Sequence, residues 1–369
     1  MDPLVSIVVP CFNYAHLLPQ CVNSILQQDY RNFEVLIMDN CSPDNTPEVA
    51  QSFTDPRVLY FRNESNLGFM RNFNKGISLT RGTYVWVLMA DDMLRTSHVL
   101  GRFVELLERN PDVGFVFCRA VELDRERETG ICPWADWGDE DRIWKDRTFF
   151  LRLIEGNHIV ASSVLVRKSC YDKTGLFPLD LPFACDWYMW SLFAMQHQVA
   201  YFSEPMVSVR IHDQSLTSSY SKHICVADEL SVVWRVGQQA KRTGLGPLAT
   251  ACETAFVRRA VGVLEEGPEG MAPSVSREEF EQILESRFRC LTDIEEIRAS
   301  VYTSLADRQY RGGAYGKAAQ SYWFALTARP WRGRTWAKYL LLRMGAAGVR
   351  IRRLPHQLRR GSVRTRYAK

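Results

Sequence analysis

Two adjacent carboxylates, Asp91 and Asp92, close the apolar run Tyr84-Val85-Trp86-Val87-Leu88-Met89-Ala90. The run is short, aromatic and β-branched, and Gly82 precedes it, which favours a buried strand over a helix. In an open α/β sheet, ligands gather at the carboxyl ends of the strands. Two acids there suit a divalent cation that holds phosphates, because hard cations prefer carboxylate oxygens. Asp is also common in the turn after a strand and caps the following helix, so the pair by itself supports a plain turn as readily. Asp39 ends a second such run, Phe33-Glu34-Val35-Leu36-Ile37-Met38. Asp186 opens a helical pattern carrying Met189, Trp190, Phe193 and Ala194, where residue type alone reads it as an N-cap.

These acids need elements to position them. Val5–Pro10 reads as a first buried strand, and Pro10 and Asn13 mark the loop after it. His16–Gln28 places Leu17, Leu18, Cys21, Ile25 and Leu26 on one helical face. Strands follow at Phe33–Asp39 and Val58–Phe61, then a polar loop from Asn63 to Gly68 and an amphipathic helix through Ile77. Strands alternating with helices predict a mostly parallel sheet covered on both faces. Right-handed crossovers then bring Pro10, Asp39 and Asp91 to one edge. Further on, a helix is expected over His98–Arg109, a strand over Gly114–Phe117, a helix from Asp146 to Glu155 and strands near 159–166 and 199–202. Residues 122–145 read as irregular and charged.

The strand pattern stops after residue 215. Helices are expected at Tyr220–Lys241, Leu248–Leu264 and Arg277–Leu291. Tyr302, Leu305, Ala306, Gly313, Tyr315, Ala318, Tyr322, Ala325 and Pro330 fall at the offsets of one tetratricopeptide-like repeat. One repeat cannot bury its own apolar face, so it must pack on neighbouring helices or on a second copy in a homo-oligomer. The domains read as 1–215, with a division near residue 92, then a helical region 216–335 and a basic tail 336–369.

Composition narrows the function. No run of about 18 apolar residues exists to span a membrane, and Met1-Asp2-Pro3 leads straight into a strand rather than a signal peptide. Ten cysteines are scattered without C-x-x-C or His-paired spacing, which points to reduced, buried thiols and a cytoplasmic protein rather than a zinc site. Residues 341–369 hold nine Lys+Arg and no acid; without them 37 basic residues face 42 acidic ones. The acidic body excludes a nucleic-acid binder. The basic end, Arg350–Lys369 with Leu354, Leu358 and Trp336, suits an anionic membrane surface, peripheral at its inner face, or a solvated tail. Neither G-x-G-x-x-G nor a Walker A sequence follows the first strand, so side chains and a metal must grip the ligand.

The segments "VSIVVPCFNYAHLLPQCVNSILQQDYRNFEVLIMDNCSPDNT" and "NLGFMRNFNKGISLTRGTYVWVLMADD" resemble, in that order, the opening of a family 2 glycosyltransferase of GT-A fold. The resemblance covers about residues 4–215. It implies an αβα sandwich whose first half binds a nucleotide-sugar. Pro10, Phe12 and Asn13 would lie along the nucleoside, and Asp39 would accept from a base imide N–H, which means uracil or thymine and so a UDP- or dTDP-sugar. Asn66, Gly68 and Asn74 match the next loop and helix, near base and ribose, and Arg71 is a candidate for the base or diphosphate. Asp91 takes the place of the second aspartate of the family's D-x-D motif, with Met89 standing where the first is usual. Asp91 is thus the expected ligand of Mg²⁺ or Mn²⁺, and Asp92 supports it or points at the sugar.

By the same resemblance, Asp186 takes the place of the family's catalytic base, with Cys185 replacing the usual preceding Glu. The chemistry agrees. Inverting transfer needs one carboxylate to take the acceptor hydroxyl's proton, while the metal stabilises the leaving diphosphate. His212, in "EPMVSVRIHDQSLT", matches a histidine that reaches metal or diphosphate. His158, Trp187 and Arg210 are acceptor-side candidates, and Trp134, Trp137 and Trp144 a candidate sugar-stacking lid. Loop packing, a structural histidine and an arginine–carboxylate pair are the competing readings. The expected function is transfer of a sugar to the hydroxyl of a glycan, a lipid-linked acceptor or a small molecule, in polysaccharide or glycoconjugate assembly. Two rivals remain. A sugar-1-phosphate nucleotidyltransferase would carry a Gly-rich basic loop where Pro10-Cys11-Phe12-Asn13-Tyr14 stands. A non-catalytic helical scaffold would not need Asp91 and Asp186 in these contexts.

Overall fold

A computed structural model describes residues 2–212, 215, 219–265, 274–288 and 294–344. It divides into two compact units, Met1–Cys252 and Glu253–Lys369. Strands β1 (Val5–Cys11), β2 (Phe33–Asp39), β3 (Val58–Arg62) and β4 (Tyr84–Val87) alternate with helices α1 (Leu18–Leu26), α2 (Thr46–Gln51) and α3 (Phe69–Leu79). The four strands pair in parallel, in the order β3-β2-β1-β4. Every residue of β1 and β2 is buried, as expected for strands covered on both faces.

Alternation along β1 sends its side chains to two different layers. Val5, Ile7 and Val9 join a core with Leu18, Cys21 and Ile25 of α1 and with Leu100 and Phe103 of α4 (Val99–Arg109). Val8 faces the other way, towards α3. Gly76 lets that helix approach: a Cβ built there would lie 2.5 Å from Val8 Cγ1 and 3.0 Å from Met38 Cγ.

The sheet then becomes mixed. After the short β5 (Met93–Leu94) come β6 (Val113–Asp124), β7 (Arg127–Ile131) and β8 (Arg142–Trp144). β9 (Val164–Arg167) and β10 (Gln198–Arg210) complete the sheet, with order β4-β9-β6-β10-β5. β9 runs antiparallel to both neighbours. The expectation of an irregular stretch over 122–145 is corrected here. β6 extends to Asp124 and pairs with β7, and β8 pairs with β10. Charged residues filled these strands because they lie at the sheet's margin, where β7 is exposed along most of its length, so no apolar alternation announced them. Helices α5 (Thr148–Leu153), α6 (Lys168–Thr174) and α7 (Cys185–Gln196) accompany this half.

The compact unit continues past residue 215. Helix α8 (Lys222–Arg242) packs against α7, and its buried Asp228 accepts from Phe183 N–H at 2.8 Å. The β pattern ends at 215, but the packing does not. α9 (Gly246–Leu264) follows.

The second unit contains α10 (Arg277–Phe288), α11 (Ile294–Arg311), α12 (Tyr315–Ala328) and α13 (Gly333–Arg343). α11 and α12 form a hairpin turned at Gly313, whose φ of 83° suits glycine. Tyr302, Leu305, Ala306, Ala318, Tyr322 and Ala325 are all buried in it. Among the described residues, no helix is long and apolar enough to cross a membrane. The Arg-rich segment 350–369 lies outside the described residues.

Candidate active site

Because β1, β2 and β4 are parallel, the residues after them share one edge of the sheet. Phe12 is 42% exposed there. Asn13 takes φ 62° and donates its N–H to Ser42 Oγ at 3.1 Å. Ser42 N–H in turn donates to Asp39 Oδ1 at 2.8 Å, so the first two loops are stitched together. Asp39 is fully buried, and its Oδ2 accepts from Tyr60 Oη at 2.7 Å and Arg62 Nη1 at 3.1 Å.

A set of asparagines, of which only Asn66 was a candidate from the sequence, holds the third loop. Asn40 Nδ2 donates to Asn66 Oδ1 at 2.8 Å, and Asn66 Oδ1 also accepts from Gly68 N–H at 2.9 Å. Asn63 Nδ2 reaches both Asn40 Oδ1 and Asn72 Oδ1, and Asn72 Nδ2 donates to Met38 O. Gly68, at φ 80°, precedes α3, and Arg71 is exposed on its first turn. Buried Asn63 and Asn72 in polar sequence were the available signal, since buried amides need partners. Asn74 departs from its expected role. Its side chain accepts from Phe177 N–H at 3.0 Å and donates to Phe177 O at 2.8 Å, which engages both ends of the amide in a backbone clamp.

At the end of β4 the two acids have different environments. Asp91 is partly exposed, and its Oδ2 lies 3.0 Å from His212 Nε2. The Tyr14 ring meets His212 edge-on at 5.8 Å. Asp92 is buried; it accepts from Ser162 Oγ and, at 3.0 Å, from Arg210 N–H. Burial pushes its carboxyl well above the usual range, and the neighbouring Asp91 charge adds to that. Asp92 therefore braces the turn from inside, and Asp91 alone of the pair faces outward with a histidine.

Arg210 is corrected from an acceptor-side position. It is buried beneath the same turn, with Nη2 donating to Gln20 Oε1 at 2.8 Å and Nε to Asp91 O at 3.3 Å. The strand register of β10 carries it there, and sequence spacing could not reveal that register.

The other acid, Asp186, sits in the first turn of α7. Its Oδ1 accepts from its neighbour's amide, Trp187 N–H, at 2.7 Å, and its Oδ2 from Asn157 Nδ2 at 3.0 Å. Burial raises its pKa to about 6, against the lowering effect of those two donors. Trp187 itself is buried, with its indole N–H donating to Leu153 O at 2.8 Å, so it belongs to the core and not to an acceptor surface. Its helix is apolar nearly all round, and tryptophan type alone did not say which side it faced. His158 Nδ1 donates to Trp134 O at 2.9 Å. Trp137 and Trp144 are buried among Phe117, Phe149 and Tyr201, whereas Trp134 is 45% exposed. The lid reading thus narrows to Trp134.

One segment joins the two acidic centres. Asn157 touches Asp186, and Ser162 touches Asp92. Five residues can span at most about 17 Å, so the anchors of the two centres are close. Among the described residues, no group of three His, Cys, Asp or Glu side chains forms a ready-made metal centre. Asp91 and His212 offer one carboxylate oxygen and one imidazole nitrogen, which fits an ion that takes its remaining ligands from water and phosphate.

Known proteins share this architecture. Residues 6–175 match the family described as Glycosyl transferase family 2. The chain is 28% identical over 226 residues to an "Uncharacterized glycosyltransferase" of Haemophilus influenzae, covering 59% of this chain and 69% of that protein. It is 33% identical over 115 residues to the glycosyltransferase GlyG of Streptococcus pneumoniae, covering 31% and 38%. Among solved structures, S. aureus TarS residues 1–349 in complex with UDP matches with a TM-score of 0.60 at 16% identity, over 89% of this chain and 91% of that one. The same TarS segment with UDP-GlcNAc matches with a TM-score of 0.54 at 16% identity, over 94% and 88%. At that identity the structural likeness concerns the fold.

Proposed function

This chain belongs to glycosyl transferase family 2 through its residues 6–175, and we propose that it moves a sugar from a UDP- or dTDP-sugar to an acceptor hydroxyl with inversion at the anomeric carbon. The observation that carries this reading is the pair of unlike acidic centres tied by residues 157–162. Asp91 with His212 suits a diphosphate and its cation, and Asp186, titrating near pH 6, suits a proton acceptor at neutral pH. The TarS complexes with UDP and UDP-GlcNAc support a uracil nucleotide.

Each residue then has a task. Phe12 offers an exposed apolar face at the nucleoside edge, beside Pro10 and Asn13. Asp39 uses three of its roughly four lone-pair sites on Ser42, Tyr60 and Arg62. To accept from a base imide it must be uncovered, and the Arg62 side chain, 39% exposed, is the group able to swing aside. Asp91 and His212 would hold Mg²⁺ or Mn²⁺, which when bound supplies positive charge to the leaving diphosphate. Asp186 accepts the proton of the attacking hydroxyl; its two donors, Asn157 and Trp187 N–H, fix the carboxylate plane and keep it charged. Trp134, next to His158, offers a ring for the acceptor sugar to stack on. A glycan, a lipid-linked oligosaccharide and a small glycoside all present the required hydroxyl. The nine described cysteines are free thiols, in keeping with work in the cytoplasm.

A thermal-shift panel of nucleotide-sugars with and without Mn²⁺ tests the donor. A ligand that binds the native state raises its melting temperature. UDP- or dTDP-sugars should do so, more strongly with Mn²⁺. A shift confined to GDP- or CMP-sugars, or pyrophosphate release from a nucleoside triphosphate, would overturn the assignment. The anomeric configuration of the product, read by NMR, tests inversion.

A further inference from the structure

We propose that the outer face of α12 and α13 is a docking surface for an anionic lipid membrane. On α13, Trp336 and Leu340 are four residues apart, and Met344 follows four residues later, so the three share one stripe. Leu340 is 54% and Met344 58% exposed. Trp323 of α12, 47% exposed, extends the stripe sideways: its ring meets Trp336 at 6.3 Å and Tyr339 at 5.7 Å. The other side of α13 already has its partner, since Leu342 is buried with Ala306, Ala318 and Tyr322. Trp323, Trp336 and Tyr339 thus pack on one another between α12 and α13, and Leu340 and Met344 carry the more exposed part of the stripe.

Charge selects the occupant. Residues 308–369 carry sixteen Lys+Arg and no Asp or Glu; Arg308, Arg329, Arg332 and Lys338 are ion-paired with Glu265, Glu296 and Asp307, which leaves an excess of positive charge. Arg334 and Arg343 are exposed on α13 itself. A second copy of the chain would set the exposed Arg334 and Arg343 against their own counterparts, a like-charge arrangement that disfavours pairing. A nucleic acid would satisfy the cations but give Leu340 and Met344 no apolar phase. An anionic bilayer meets both demands. Trp and Tyr settle at the headgroup level, aliphatic side chains enter the acyl boundary, and Lys and Arg face the anionic lipids.

Flotation of the full chain with vesicles tests this directly. Binding to phosphatidylcholine vesicles containing phosphatidylglycerol is expected to exceed binding to phosphatidylcholine alone by at least about tenfold, and to weaken as salt is raised. Leu340→Glu and Trp323→Ser, both at exposed positions, should each cut binding by roughly tenfold. Leu340→Glu should keep the parent's melting temperature, and both variants should keep its response to UDP with Mn²⁺, which separates a lost surface from a lost fold. The proposal is overturned by equal binding to both vesicle types, by undiminished binding of Leu340→Glu, or by light scattering that shows a dimer which Trp323→Ser dissolves.

Discussion

His212 Nε2 lies 3.0 Å from Asp91 Oδ2, a contact between residues 121 positions apart. It joins the end of β4 to the end of β10. Under the proposed function, His212 would stand in for the acid that Met89 lacks. The outward donor set is thus a carboxylate and an imidazole rather than two carboxylates. Calorimetry of UDP with and without Mn²⁺ should show that the ion strengthens binding. Asp91→Asn should remove most of that enhancement, about tenfold or more, and His212→Ala part of it. An unchanged Mn²⁺ effect in Asp91→Asn would sink the assignment.

Asp186→Asn should fold, bind UDP as the parent does and lose transfer by about a hundredfold or more. Its stability should also lack the parent's dependence on pH between about 4 and 6. The folded pKa of Asp186, about 6, stands above its unfolded value of 3.8. The folded state thus holds the proton more tightly, and stability falls as pH rises between those values. Above about pH 6 the cost approaches 3 kcal/mol, which Asn does not incur. Urea unfolding at pH 5 and pH 8 measures it. A variant that loses as much stability as the parent between pH 5 and pH 8 contradicts the argument.

The pH–rate profile carries the same sign. A base must be deprotonated, so transfer should rise with pH through about 6 and then level off. Asn157 donates to the charged carboxylate and lowers that pKa. Asn157→Ala should move the rising limb to higher pH, with the largest loss of rate on the acid side. A uniform loss at all pH values would mean that Asn157 only supports the loop.

Ser162→Ala removes a donor from the buried Asp92 carboxylate. A buried acceptor left short of a partner costs about 1–3 kcal/mol. The melting temperature should fall, and the Mn²⁺-dependent UDP affinity should fall with it, because Asp91 sits on the same turn. A fall in stability with intact Mn²⁺ dependence would separate Asp92 from the site.

Gly76→Ala tests the seat of α3. Its Cβ would lie 2.5 Å from Val8 Cγ1, inside the van der Waals limit, and overpacking of this kind costs about 1–3 kcal/mol. Denaturant titration should show that loss. A neutral substitution would mean that α3 shifts freely on the sheet.

The sequence by itself determined β1 to β4, the helices between them and the edge that gathers Pro10, Asp39 and Asp91. Those elements are local: each is a short apolar run or an amphipathic period bounded by turn residues, and parallel pairing follows from their alternation. The helical hairpin around Gly313 was legible for the same reason. Tertiary structure decided what lies between residues 122 and 144, because β7 and β8 lie at the sheet margin and carry no apolar alternation. It also decided which polar groups point where. Asp91 and Asp92 are neighbours in type and position, yet one faces His212 and the other is buried on Ser162 and Arg210. Asn74, Trp187 and Arg210 looked suited to a ligand and are instead engaged with Phe177, Leu153 and Gln20. A side chain's partner is set by long-range packing, and residues 34 to 190 positions apart meet only once the sheet has formed.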